Sequence, residues 1–128
     1  MTAFTESNRL GDILKREFAP EFNREEVTIA SGQNLAAGTV LGKITASGEY
    51  MLHDNAATGG TAGAEVAAGV LLFDCNASSG ATKAVALLRG PAVVALGKLI
   101  FKSGISGANK TAALDKLASL GIVARTTV

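Results

Sequence analysis

The chain has 128 residues, of which 48% are hydrophobic, and this length suits one domain with a single core. Its 12 basic and 11 acidic residues give a formal net charge of +1, which disfavours a nucleic acid partner because phosphate binding requires an excess of lysine and arginine on one face. The longest apolar run, residues 66–73, is far shorter than a membrane span, and the first residues lack the apolar core of a secretory signal, so we expect no membrane partner and synthesis in the cytoplasm.

The charged residues divide the chain into two parts. Ten of the 23 lie in the first 26 positions, and 13 remain for residues 27–128. Charged side chains normally cover the surface of a domain, so a body with so few of them is expected to face other protein over much of its surface. We therefore predict an N-terminal arm over residues 1–26 and a β-rich body over residues 27–128.

The predicted arm has weak helical periodicity that ends at Ala19-Pro20, because proline disfavours helix in the residue before it. Two interpretations stay open: a short helix packed on its own domain, or an arm that is flexible alone and becomes ordered on a partner. A flexible arm would expose its apolar side chains unless a partner covered them. The candidate partner-binding residues are Phe4, Leu10, Ile13, Leu14, Phe18 and Phe22.

From Val27 the hydrophobic period changes to two, which is typical of strands. Residues 35–54 predict a hairpin whose turn lies at Ser47-Gly48 and whose alternation resumes at Tyr50. Residues 55–65 are small and include three glycines, so we predict a mobile loop there.

The rest of the body is predicted as short strands followed by one helix. Residues 66–73 predict a strand buried on both faces, residues 74–82 a turn, and residues 83–90 and 92–101 two further strands. Ser106 is a suitable N-cap and Gly121 a suitable C-terminal stop, so we predict a helix over about 107–120 and a last strand after it. The fold class predicted is mainly β, a small sheet or barrel with one C-terminal α-helix and an extended N-terminal arm.

His53 and Cys75 are the only histidine and the only cysteine. A Cys-His nucleophile pair with Asp54 or Asp74 as the orienting group is formally possible, although a strand-end histidine and a packed cysteine are much commoner. No metal-ligand spacing or phosphate-binding loop occurs in the sequence. We expect no enzymatic activity and assign no catalytic, cofactor-binding or metal-binding residue.

The hairpin sequence "LAAGTVLGKI" resembles the strand-turn-strand of biotinyl and lipoyl carrier domains. Those carriers present a lysine at the tip of a hairpin for covalent attachment. Here the tip, residues 46–49, contains no lysine, which disfavours a carrier. A carrier or another small β interaction domain is therefore kept as the alternative interpretation.

A second resemblance extends over roughly residues 20–125. The order of an N-terminal arm, "VTIASGQNLAAGTVLGKITASGEYMLHD", "EVAAGVLLFD", "KAVALLRGPAVV" and "KTAALDKLASLGIVAR" is similar to the phage head decoration proteins, the family of lambda head protein D. This resemblance implies a β-clip body, a homotrimer, and binding to the major capsid protein on the outside of an expanded phage head, with the N-terminal arm as the capsid-binding segment. The implied function is mechanical: the protein would cement the virion shell against the pressure of packed DNA.

Overall fold

The structure is a computed structural model that describes residues 13–17 and 23–126. The helix α1 spans Gly107–Ser119, and short 3₁₀ turns lie at Gly59–Thr61 and Leu96–Lys98. The strands are β1 Leu14–Glu17, β2 Arg24–Ile29, β3 Gln33–Leu35, β4 Val40–Lys43, β5 Tyr50–Leu52, β6 Ala67–Leu71, β7 Cys75–Ala77, β8 Thr82–Leu87, β9 Ala92–Ala95 and β10 Ile122–Arg125. The mainly β fold with a helix near the C terminus is therefore confirmed.

Five strands form a closed barrel in the order β2-β5-β4-β6-β8. Strands β2 and β8 pair antiparallel from Arg24–Leu87 to Ile29–Thr82, and the parallel pair Ile29–Tyr50 joins β2 to β5. Closure leaves the barrel strands without a free edge. The barrel core is built mostly from small and aliphatic side chains: Val27, Ile29, Leu35, Leu41, Tyr50, Leu71, Cys75, Ala77 and Ala86.

The predicted hairpin is confirmed as β4 and β5. The backbone N–H of Ile44 donates to the carbonyl of Glu49 at 2.8 Å, and Gly48 adopts the left-handed conformation with φ of 75°. A side chain is disfavoured at this φ, so glycine suits the turn. A neighbouring backbone passes close to β6 at Gly69, because a Cβ there would lie 2.6 Å from the Leu87 carbonyl oxygen.

A three-stranded sheet and the helix cover one side of the barrel. Strand β9 pairs antiparallel with β1 and parallel with β10. The predicted N-cap is present, since Ser106 Oγ accepts from the N–H of Asn109 at 3.1 Å, and Gly121 has φ of 90° beyond the last helical turn. Leu117 on α1 is fully buried with Ile122 and Val94 in a second core cluster.

Residues 14–17 of the N-terminal segment are extended, which differs from the helical interpretation. Residues Leu14–Glu17 form a strand on β9, and Ile13 is fully buried in the same cluster as Leu117. Strand β2 begins at Arg24, so the barrel takes in the last residues of the predicted arm. The open edge of β9 supplies backbone partners to the segment, and such tertiary pairing outweighs a weak helical period.

The loop over residues 55–65, which the sequence predicts to be mobile, is attached to the barrel near its C-terminal end. Thr45 N–H donates to the Ala62 carbonyl at 2.9 Å, Asp54 N–H donates to the Ala64 carbonyl at 3.0 Å, and Ala64 is fully buried. The loop lies so close to β4 that a Cβ at Gly42 would be 2.6 Å from the Ala64 Cα. Small residues therefore serve close packing here.

The prediction of a plain turn over residues 74–82 was incomplete. Residues Cys75–Ala77 form β7, which pairs antiparallel with β3 in a two-stranded ribbon. The strand does alternate, since Asn76 is exposed between two buried neighbours. Three residues among polar neighbours are too few to show this alternation in the sequence.

Candidate interaction surface

His53 is held inside the protein and is 1% exposed. Its backbone N–H donates to the Val40 carbonyl at 2.9 Å, and its ring Nε2 lies 3.1 Å from the Glu65 carbonyl oxygen. In the tautomer that satisfies this contact, Nε2 carries the proton and Nδ1 is buried without a hydrogen-bond partner. Burial lowers the pKa of His53, because the buried cation would lose its hydration.

Cys75 is a buried residue of the β3–β7 ribbon, paired with Leu35. Burial raises the pKa of its thiol, which disfavours the reactive thiolate. Since His53 bonds to Glu65 and Cys75 packs in the barrel core, different elements position the two side chains. This geometry gives no support to a Cys-His nucleophile pair.

The two candidate orienting carboxylates have structural partners. Asp74 Oδ1 accepts from the backbone N–H of Ala37 at 2.7 Å. Asp54 accepts from the Ala56 N–H at 2.9 Å and pairs with Lys102 at 2.8 Å, and the hydrogen bond from Lys102 lowers the pKa of that carboxyl. Both carboxylates therefore tie loops to the fold.

Within residues 13–17 and 23–126, no group of three or more histidine, cysteine and acidic side chains is placed to hold a metal ion. In the same part of the chain, none of the helices combines the length and the apolar character that crossing a membrane requires.

A cleft of about 270 Å³ lies between the start of α1 and the loop after β5. Its polar groups bind one another, since Lys102 pairs with Asp54 and Ser106 caps Asn109. The cleft is thus explained by loop attachment and helix capping.

The described surface has three well-exposed large apolar side chains, Val66 and Phe73 at 46% and Val123 at 40%. Val66 forms one wall of a groove of about 380 Å³, and Ala68 and Leu120 contribute further apolar surface. Lys43 and Lys116 also line it. We call this feature the Val66 groove.

Three separate parts of the chain build the Val66 groove. The docked loop over residues 55–65 carries Gly63 and leads into Val66, β4 ends at Lys43, and the last turn of α1 carries Lys116. The Lys43 ammonium lies 5.9 Å from the centre of the Tyr50 ring, which holds the cation above the barrel. No pattern in the sequence predicts the groove, because its walls are distant along the chain.

The structure describes two of the six candidate arm residues, Ile13 and Leu14. Ile13 is buried in the core, and Leu14 packs against the same cluster. Phe4, Leu10, Phe18 and Phe22 lie outside the described residues. Capsid binding by this segment is therefore a proposal, and for Ile13 the structure shows a role within the fold.

A closed small barrel, an added three-stranded sheet and one helix near the C terminus define a small, mainly β protein. The family model of bacteriophage lambda head decoration protein D matches residues 3–122, and the chain belongs to this family. A comparison with curated proteins found no significant match. The family resemblance seen in the sequence is confirmed. Membership makes the chain a phage head decoration protein, associated with a capsid and located on the virion head.

Proposed function

We propose that the protein binds the outside of an expanded phage head as a homotrimer and stabilises the shell against the pressure of packed DNA. The family match over residues 3–122 carries this proposal. The partner is the major capsid protein of the head, which the decoration protein reaches after synthesis in the host cytoplasm. The task is mechanical, because each copy links neighbouring capsid subunits.

The surface of the body supports an assembly of several copies. Only 13 charged residues fall in residues 27–128, whereas free domain surfaces are normally rich in them. Val66 and Phe73 add exposed apolar area that a neighbouring protein would remove from water. Three weak contacts per trimer also hold a shell more strongly than one, since the second and third bind at high effective concentration.

The N-terminal segment over residues 1–26 is the proposed capsid-binding arm. Phe4, Leu10, Phe18 and Phe22 are the proposed apolar contacts, and each buried side chain of this size contributes about 1.5–3 kcal/mol. Ile13 and Leu14 have a different task, because they join the segment to β9 and the core. They fix the place at which the segment joins the body.

The test is a mixture of the purified protein with expanded, undecorated phage heads. We expect the protein to sediment with expanded heads, to bind unexpanded heads much less, and to raise the temperature at which filled heads release DNA. Light scattering after gel filtration should give three times 12.9 kDa. Protein that stays in the supernatant with intact expanded heads would contradict capsid binding, and a monomer mass would contradict the trimer.

The carrier alternative has no support from the hairpin geometry. Lys43 lies in β4 opposite Tyr50 rather than at the tip, and the tip residues 46–49 contain no lysine. A lysine modified after co-expression with a biotin or lipoate ligase would revive this alternative.

A further inference from the structure

Phe73 and the Val66 groove lie at opposite ends of one strand. Val66 directly precedes β6, and Phe73 follows it by two residues. A strand rises about 3.3 Å per residue, so roughly 20 Å separates them. Phe73 of one chain therefore does not fill the groove of the same chain.

The two features are complementary in shape and in apolar character. The groove, at about 380 Å³, falls within the size range of pockets that enclose small ligands, so it has room for a phenyl ring. Its walls at Val66, Ala68 and Leu120 are apolar. Phe73 is the largest of the exposed apolar side chains in the described part of the chain.

The charges are complementary as well. Lys43 and Lys116 line the groove, whereas Glu65, whose carboxylate accepts from the backbone N–H of Gly63 at 2.6 Å, does not line it. Phe73 is followed by the exposed Asp74, whose carboxylate is held in place by the Ala37 N–H at 2.7 Å and keeps its negative charge close to the aromatic ring. A phenyl ring with an adjacent carboxylate suits an apolar groove flanked by two ammonium groups.

We propose that Phe73 of one copy occupies the Val66 groove of the next copy, with Asp74 facing Lys43 and Lys116. This inference rests on the proposed trimer and names its contact. Such an interface joins two different surface patches, and a rotation of about 120° from one copy to the next closes it into the ring of three that the proposed trimer requires. It covers two of the three well-exposed apolar side chains and leaves Val123 free.

Three serine variants test the contact. Phe73→Ser removes the inserted ring, Val66→Ser removes a groove wall, and Val123→Ser is the matched control on a third exposed position. At a concentration where the wild-type protein is trimeric, light scattering should show loss of the trimer for the first two variants. The control should keep the wild-type mass, and circular dichroism should show all three folded.

A charge reversal on α1 tests the groove by a separate route. Lys116→Glu should weaken trimer formation at least tenfold in concentration, since the added carboxylate faces Asp74 of the neighbouring copy. Lys110→Glu is the control on the same helix, where the lysine ammonium lies 5.0 Å from the centre of the Phe101 ring. This control should leave the trimer intact.

Mixing the two defective proteins tests the direction of the contact. Phe73→Ser keeps an intact groove, and Val66→Ser keeps an intact Phe73, so one sound interface forms between them. Native mass spectrometry should detect a mixed dimer that neither variant forms alone. The absence of a mixed dimer would contradict insertion of Phe73 into the groove.

The outcomes separate this inference from the proposed function. A wild-type trimer that persists in Phe73→Ser, Val66→Ser and Lys116→Glu overturns the contact and leaves the trimer standing. A wild-type monomer overturns both the trimer and the contact, while sedimentation with heads still reports capsid binding. Loss of the trimer in Val123→Ser as well would place the interface elsewhere.

Discussion

Replacement of Gly42 by alanine should release the loop that shapes the Val66 groove. Gly42 lies at the irregularity in the pairing of β4 with β6, where the loop over residues 55–65 packs directly on the strand. An added Cβ would lie 2.6 Å from the Ala64 Cα and 2.8 Å from its carbonyl carbon. These are backbone atoms, so the loop itself must move away.

The cost follows from what the loop loses. Overpacking costs about 1–3 kcal/mol, and loss of the backbone hydrogen bonds to Ala62 and Ala64 costs about 0.5–1.5 kcal/mol each. We therefore expect the free energy of unfolding to fall by about 3 kcal/mol, which lowers the melting temperature by about 10 °C. Displacement of Gly63 and Val66 should also weaken the trimer.

Gly60→Ala is the matched control in the same loop. Nothing lies within 4 Å of a Cβ at Gly60, and its φ is not positive, so the change should be neutral or stabilise by about 0.4–1 kcal/mol. Urea unfolding followed by circular dichroism, at equal protein concentration, measures both variants. The packing argument fails if the two variants differ by less than about 0.5 kcal/mol.

Three further predictions concern His53, Cys75 and the N terminus. The pKa of His53 is lower in the folded protein than its unfolded value of 6.5. The contribution of His53 to the free energy of unfolding should therefore be constant above pH 6.5 and decrease below it. His53→Gln should flatten that decrease in urea titrations between pH 7 and 5. Cys75 should react with a thiol alkylating reagent at least a hundredfold more slowly in the native protein than in urea, and Cys75→Ala should still bind heads; fast native alkylation would contradict its burial. Deletion of residues 1–12, which keeps Ile13 and β1, should leave a folded trimer that sediments with expanded heads at reduced occupancy, because it lacks Phe4 and Leu10; wild-type occupancy would place the capsid contact on the residues that remain. A deletion up to Glu25 should instead unfold the protein, because it removes β1 and the start of β2.

Features set by short-range chemistry could be predicted from the sequence. Ser106 and Gly121 mark the two ends of α1 because capping depends on a few neighbouring residues. Gly48 marks the turn between β4 and β5 for the same reason, since only the local φ decides which residue fits. The family could also be recognised, because the order of the strands, loops and helix follows the order of the sequence motifs.

Other features depended on contacts between distant parts of the chain. Residues 14–17 have a helical period, yet they form a strand because β9 offers a backbone partner nearly 80 residues away. The small residues of the 55–65 loop have the composition of a mobile segment, yet Gly42 lets the loop pack on β4. The Val66 groove combines walls from β4, from the segment before β6 and from the end of α1. A local pattern determines which conformation a segment favours alone. Packing and backbone pairing in the folded chain determine which segments come into contact. Only the tertiary structure therefore created the groove.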